Sequence, residues 1–174
     1  AYNLNYEEDT EFFDRLTRGE WREDPERDAA FFETALDVLG GAGLEAYEVS
    51  NHARAGFESV HNQAYWQGAD YLGFGPGAFS TVGGRRWKNV ALATSGGQLE
   101  REIEHLTPAQ RRMERIALLL RTREGLPLTE LGPTAARVPD LVAEELAQPH
   151  ADRVVLTPKG RLVADQAALF LIGD

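Results

Sequence analysis

Apolar positions recur at helical spacing early in the chain. Phe32, Ala35, Leu36 and Leu39 lie three and four residues apart, which places them on one side of a helix. Asp24-Pro25-Glu26 stands in front of them as a start signal. The Asp24 carboxylate can take a free N–H of the first turn, and Pro25 gives up no hydrogen bond at the first helical position. Gly40-Gly41 and Gly43 end the pattern, since glycine closes helices cheaply. Residues 44–49 then read as a short strand, and residues 2–6, which alternate loosely, as the end of another. Helix, glycine stop and strand in this order are the parts of an α/β unit.

Between residues 50 and 77 the periodicity fails, and glycine, asparagine and aromatic residues take over. Residues 71–80, Tyr-Leu-Gly-Phe-Gly-Pro-Gly-Ala-Phe-Ser, read as a glycine-threaded strand. Gly73, Gly75 and Gly77 at alternate positions suit a close approach to the backbone. Gly83-Gly84 fits a two-residue hairpin turn. After a polar connector over residues 95–106, Thr107-Pro108-Ala109-Gln110 forms a capping box. It opens a helix through Met113, Ile116, Ala117 and Leu120 that Gly125 closes. A shorter helix is expected over residues 140–147 and a strand over residues 154–156. A last helix, capped by Thr157-Pro158, carries Leu162, Val163, Leu169 and Phe170. This order suits a small, mainly helical winged-helix-like module. A boundary near residue 100 therefore divides residues 1–100 from residues 101–174.

Composition narrows the chemistry. With 43% apolar and 26% charged residues the chain is of the globular type. It has no cysteine, so these residues supply no disulfide, thiolate zinc site or cysteine-bound cluster. No apolar run approaches the roughly 20 residues of a membrane span, and no secretory leader is seen, which points to the cytoplasm. The start at Ala1, directly before Tyr2-Asn3-Leu4, reads as the interior of a longer protein. Residues 1–106 hold 19 acids and 9 bases, whereas residues 107–174 hold 9 of each. A solvated acidic face accounts for that excess, and it disfavours a phosphate backbone as partner.

Four histidines are present. His105 and His150 stand in polar surroundings without a partner motif. His52 precedes His61, but two histidines with no third ligand make a poor metal site. His61 keeps different company, being followed by Asn62, Tyr65 and Trp66. A neutral imidazole can donate a lone pair to heme iron, flat aromatics can stack on a macrocycle, and Asn62 can orient the loop by bonding its own backbone. From the residues alone, a porphyrin-handling loop and an aromatic-anchored structural loop both stand.

A wider pattern weights the first reading. Tyr47-Glu48-Val49-Ser50-Asn51, Ala55-Gly56, His61-Asn62-x-x-Tyr65-Trp66 and Asp70-Tyr71-Leu72-Gly73-Phe74-Gly75-Pro76-Gly77-Ala78-x-Ser80 together resemble one family. It is the HemW heme chaperones, relatives of oxygen-independent coproporphyrinogen III oxidase within the radical SAM superfamily. Weaker similarity covers Tyr2-Asn3-Leu4 with residues 7–10, residues 107–125, and Leu156-Thr157-x-x-Gly160. The resemblance implies an α/β fold, the C-terminal part of a partial (β/α)6 barrel over residues 1–100. The family's winged-helix-like accessory domain would follow over residues 101–174. It implies a [4Fe–4S] cluster and S-adenosylmethionine in the intact protein, with the CxxxCxxC ligands in an N-terminal barrel half that this chain lacks. It gives heme binding to His61, as iron ligand, supported by Asn62, Tyr65 and Trp66. It sets Gly73, Gly75, Gly77 and Phe79 beside the S-adenosylmethionine pocket. Two positions depart from the family pattern: Phe79 stands where histidine is usual in GPGAHS, and His52 where phenylalanine is usual in SNFA.

Three functions follow as expectations. The first is heme binding with delivery to an apo-hemoprotein, membrane contact being peripheral and through acceptors. The second is radical oxidative decarboxylation of coproporphyrinogen III, which this cysteine-free chain does not carry out alone. The third is a winged-helix nucleic-acid module. Arg111, Arg112 and Arg115 lie on one side of a helix, but residues 107–174 have no net charge, so nucleic acid is not the expected partner.

Overall fold

Helix starts set by side-chain caps organise the first of two units, Ala1–Glu58. The computed structural model describes residues 6–89 and 103–173, so the expected boundary near residue 100 and most of the 2–6 strand end fall outside the described residues. The Thr10 hydroxyl accepts from the Phe13 N–H at 3.3 Å and opens helix α1 (Glu11–Thr17). Apolar spacing does not announce this helix. Its signal is the cap, with Glu11 and Asp14 set against the positive end of the helix dipole. Phe12 stacks on Trp21 with ring centroids 5.0 Å apart, and the Arg15 guanidinium lies 5.6 Å from the Trp21 ring.

Helix α2 (Pro25–Gly41) forms where the pattern places it, with Asp24 accepting from the Arg27 N–H at 3.0 Å. Phe32 is buried and Ala35, Leu36 and Leu39 are half-buried, while Phe31 and Val38 are exposed. The strand expected over residues 44–49 is shorter. Strand β1 (Glu45–Ala46) pairs antiparallel with β2 (His52–Ala53), and the Tyr47 N–H closes the link onto the Asn51 carbonyl at 3.1 Å. Glu48 is fully buried in that link. Its Oε2 accepts from the Ser50 N–H at 3.0 Å, and its Oε1 has no hydrogen bond among the described residues.

The second unit, Ser59–Asp174, begins with helix α3 (Val60–Trp66). Strands β3 (Phe79–Val82), β4 (Arg85–Lys88) and β5 (Ile103–His105) follow as an antiparallel sheet in the order β3-β4-β5. Gly83 and Gly84 make the β3–β4 turn with φ of 57° and 78°, the doubly left-handed turn that matches strand twist. The connector expected over residues 95–106 is corrected at its end. Residues 103–105 pair with β4, because an exposed strand needs backbone partners and not an apolar pattern. Leu106 is buried and its N–H donates to the Gly84 carbonyl at 2.8 Å, while residues 95–102 lie outside the described residues.

Helix α4 (Pro108–Leu120) carries the expected capping box. The Gln110 N–H donates to Thr107 Oγ1 at 3.2 Å, and the Thr107 N–H donates to Gln110 Oε1 at 2.8 Å. Its buried residues are Ile116, Leu119 and Leu120, whereas Met113, expected on the core face, is exposed. Strand β6 (Leu126–Pro127), helix α5 (Leu128–Leu131), a 3₁₀ turn over residues 132–137, helix α6 (Val138–Ala143) and strands β7 (Ala147–His150) and β8 (Arg153–Leu156) follow. The sheet order is β6-β8-β7, antiparallel throughout. Leu126, Leu131, Leu141, Val154 and Leu171 are buried with the α4 residues.

Two expectations change here. The helix over residues 140–147 ends early, since Glu145 adopts φ 60° and Leu146 N–H closes back on the Leu141 carbonyl at 2.8 Å. The last helix is broken in two, α7 (Pro158–Leu162) and α8 (Ala164–Ile172), with Val163 between them at φ −120°. The core side of α8 is Ala164, Ala167, Ala168 and Leu171; Leu169 and Phe170 are exposed. Gly160 answers to a close approach: a Cβ there would run into the Leu146 carbonyl oxygen.

Candidate functional site

Ser59, His61 and the aromatic pair that follows form a short helix and not an irregular loop. The Ser59 hydroxyl accepts from the Asn62 N–H at 3.3 Å, so Ser59 sets the start of α3. At the other end, Arg115 Nη1 on α4 donates to the Gln67 carbonyl at 3.1 Å. Arg115 is itself held by Glu130, Nε to Oε1 at 2.8 Å. One turn of helix separates His61 from Tyr65, and likewise Asn62 from Trp66. His61 and Tyr65 are exposed, Asn62 and Trp66 half-buried. Tyr65 packs edge-on against Trp66 at 5.5 Å and against Tyr71 at 5.6 Å between ring centroids.

The glycine segment is an irregular loop, correcting the strand expected over residues 71–80. Only Tyr71 pairs, in a bridge to Thr81, before β3 begins at Phe79. Asn89 ties the loop together: its Nδ2 donates to the Gly73 carbonyl at 3.0 Å and the Gly75 carbonyl at 3.1 Å. Its backbone meets Ala78 and Gly77 at 2.8 Å each. Ser80 is buried and accepts from the Gly73 N–H through Oγ at 3.0 Å. A Cβ on Gly73 would run into the Phe79 carbonyl oxygen, so what approaches the backbone here is the chain itself. Gly75 and Gly77 hold φ of 93° and 72°, a region that disfavours side chains. Phe79 is half exposed with Lys88 Nζ 5.3 Å from its ring centroid.

Arg86 on β4 fastens the hairpin to α4. Its Nη1 and Nη2 donate to Glu114 Oε1 and Oε2, both at 2.7 Å, in a parallel two-point pair. The hydrogen bond to Glu114 holds the Arg86 guanidinium above its ordinary value, against the opposing effect of partial burial. Two open clefts meet along this contact. One, of about 660 Å³, is lined by Tyr65, Tyr71, Gly84, Arg86, Arg111 and Leu118 among others. The second, of about 620 Å³, includes Tyr65, Trp66, Tyr71, Phe79 and Arg121. Tyr65, Trp66 and Phe79 are therefore brought together, while His61, Asn62, Gly73, Gly75 and Gly77 line neither cleft. Tyr71, Arg86 and Arg111 were not singled out as site residues from the sequence. Glu114 lies 28 residues from Arg86, and no local pattern connects them. Among the described residues no three His, Asp or Glu side chains gather as a metal site, and no helix is long and apolar enough to cross a membrane.

Comparison with known proteins gives these residues a context. A heme chaperone HemW of Mycobacterium tuberculosis is 38% identical over 183 residues, covering 99% of this chain and 47% of its own length. The heme chaperone HemW of Bacillus subtilis is 28% identical over 191 residues, covering 100% of this chain and 50% of its own length. The mitochondrial radical S-adenosyl methionine domain-containing protein 1 of Bos taurus is 36% identical over 131 residues, 75% of this chain and 28% of that protein. The chain thus spans about half the length of the bacterial relatives it matches. Among solved structures, the radical SAM enzyme coproporphyrinogen III oxidase (HemN) of Escherichia coli superposes with a TM-score of 0.62. It is 16% identical and covers 86% of this chain and 42% of its own, so it speaks for the fold. No family model matches the chain. Sequence and fold agree: the chain is a HemW/HemN-like C-terminal portion, and its relatives include a radical S-adenosyl methionine domain-containing protein.

Proposed function

We propose that this chain is the heme-binding part of a HemW-like protein that holds heme through His61 and passes it to an apo-protein. The observation that carries the proposal is an exposed histidine on a helix fixed at both ends, in a chain whose relatives are named heme chaperones. The residues fit the group. A neutral imidazole on the surface of α3 offers a nitrogen lone pair, and Tyr65 one turn on offers a partly exposed ring. Bound heme would supply iron to that lone pair. The chain's own part is to hold the α3 backbone still, by Ser59 and Arg115, so that His61 is presented without prior ordering.

For the intact protein we read residues 1–100 as late elements of a partial barrel and residues 101–174 as a winged-helix-like domain. The order α4-β6-α5-α6-β7-β8 with sheet order β6-β8-β7 supports the latter. S-adenosylmethionine would lie by the Gly73–Phe79 loop, and cluster ligands would come from outside this cysteine-free chain. A nucleic-acid role is not favoured. Arg112 and Arg115 are tied to Glu130 and neighbouring carbonyls, and α6 carries no basic residue.

Heme titration and anaerobic turnover of the reconstituted intact protein test the reading together. Saturable heme binding, transfer to an apo-acceptor and no decarboxylation of coproporphyrinogen III are expected. Decarboxylation without heme transfer would move the assignment to the oxidase.

A further inference from the structure

The 660 Å³ cleft beside Tyr65 has the makings of a carboxylate site. Its volume lies within the range of about 300–1,000 Å³ typical of small-molecule pockets. One wall is aromatic, from the Tyr65–Tyr71 contact, and Leu106, Pro108 and Leu118 add apolar surface. Its charged groups are mostly satisfied within the fold. Arg86 is paired with Glu114 and Arg115 with Glu130. Arg112 donates to the carbonyls of Glu130, at 3.1 Å, and Leu131, at 2.6 Å. Asp70 Oδ2 accepts from the Gly83 N–H at 3.0 Å. Arg111 differs: its side chain lies against Gly84, and no carboxylate or carbonyl among the described residues engages its guanidinium.

We propose that this cleft takes the propionate edge of a porphyrin, with Arg111 as its carboxylate anchor. The inference rests on the heme-binding reading of His61 and goes beyond it by naming the group that recognises the ligand's acidic edge. Tyr65 joins the two places, since it lies one helical turn from His61 and lines the cleft. A guanidinium presents two parallel N–H donors to a carboxylate, a match that an esterified propionate loses. Among the described residues the Arg111 guanidinium holds no ion pair and its residue is exposed, so Arg111→Gln is expected to keep the fold, which far-ultraviolet circular dichroism checks.

The test is to titrate the intact protein with heme and with heme dimethyl ester, comparing wild type, Arg111→Gln and Arg111→Lys. Wild type should favour the diacid by about five- to ten-fold, the scale of a partly exposed charge-assisted hydrogen bond. Arg111→Gln should lose that preference while its affinity for the ester stays the same, and Arg111→Lys should restore part of it. Heme binding with an undiminished preference in Arg111→Gln would overturn the cleft assignment and leave the His61 reading standing. Equal affinity of wild type for both ligands would do the same. Failure of wild type to bind either ligand would remove both.

Discussion

The two units solve the folding problem differently. Residues 1–58 carry 15 acids and 5 bases, so the whole net charge of −10 lies there, while residues 59–174 carry 13 of each. The 17-residue helix α2 buries one side chain, Phe32, whereas the 13-residue α4 buries Ile116, Leu119 and Leu120. Local devices organise the first unit: the Thr10 and Asp24 caps, the Glu11–Arg15 pair and the Trp21 ring cluster. A shared apolar core organises the second. The clefts of the candidate site belong to that better-packed unit, where Arg86, Arg112 and Arg115 tie helix, hairpin and α5 to one another. A site of fixed geometry belongs on such a frame.

This contrast can be broken most sharply at the core. Leu120→Ala removes a fully buried side chain and should lower stability by about 2–5 kcal/mol. Val38→Ala on the exposed side of α2 should change it by no more than about 0.5 kcal/mol. Urea denaturation of the two variants measures both, and equal losses would refute the division into a core-held and a cap-held unit. The caps give a smaller, finer comparison. Thr107→Ala opens the capping box of a helix that belongs to the core and should cost about 1 kcal/mol in the same experiment. Thr10→Ala should instead raise amide hydrogen exchange over residues 11–17 and leave the midpoint of the second unit's transition unmoved.

What the sequence revealed depended on whether a local rule carried the structure. Helices α2 and α4 and the Gly83–Gly84 hairpin obey spacing, cap and turn rules, and they formed where expected. Strand β7 was hidden because Ala147-Gln148-Pro149-His150 has no strand pattern; as an edge strand it tolerates Pro149, and β6 tolerates Pro127 for the same reason. The end of α6 was hidden because the left-handed residue is Glu145, with no glycine to mark it. At the candidate site the motif residues were legible, but not their arrangement. Helix α3 is too short for a periodic signal, and the glycine loop is shaped by Asn89, which lies well beyond the motif. The Arg86–Glu114 pair and the cleft beside it arise from tertiary packing alone.

Position 61 is where the heme assignment meets its most direct test. Absorbance titration of the intact protein with heme, wild type against His61→Ala, reads axial ligation at the Soret band. The account predicts that His61→Ala loses the histidine-ligated spectrum and most of the affinity, with its far-ultraviolet circular dichroism unchanged, since His61 is exposed on α3. A Soret maximum and an affinity identical to those of wild type would contradict it.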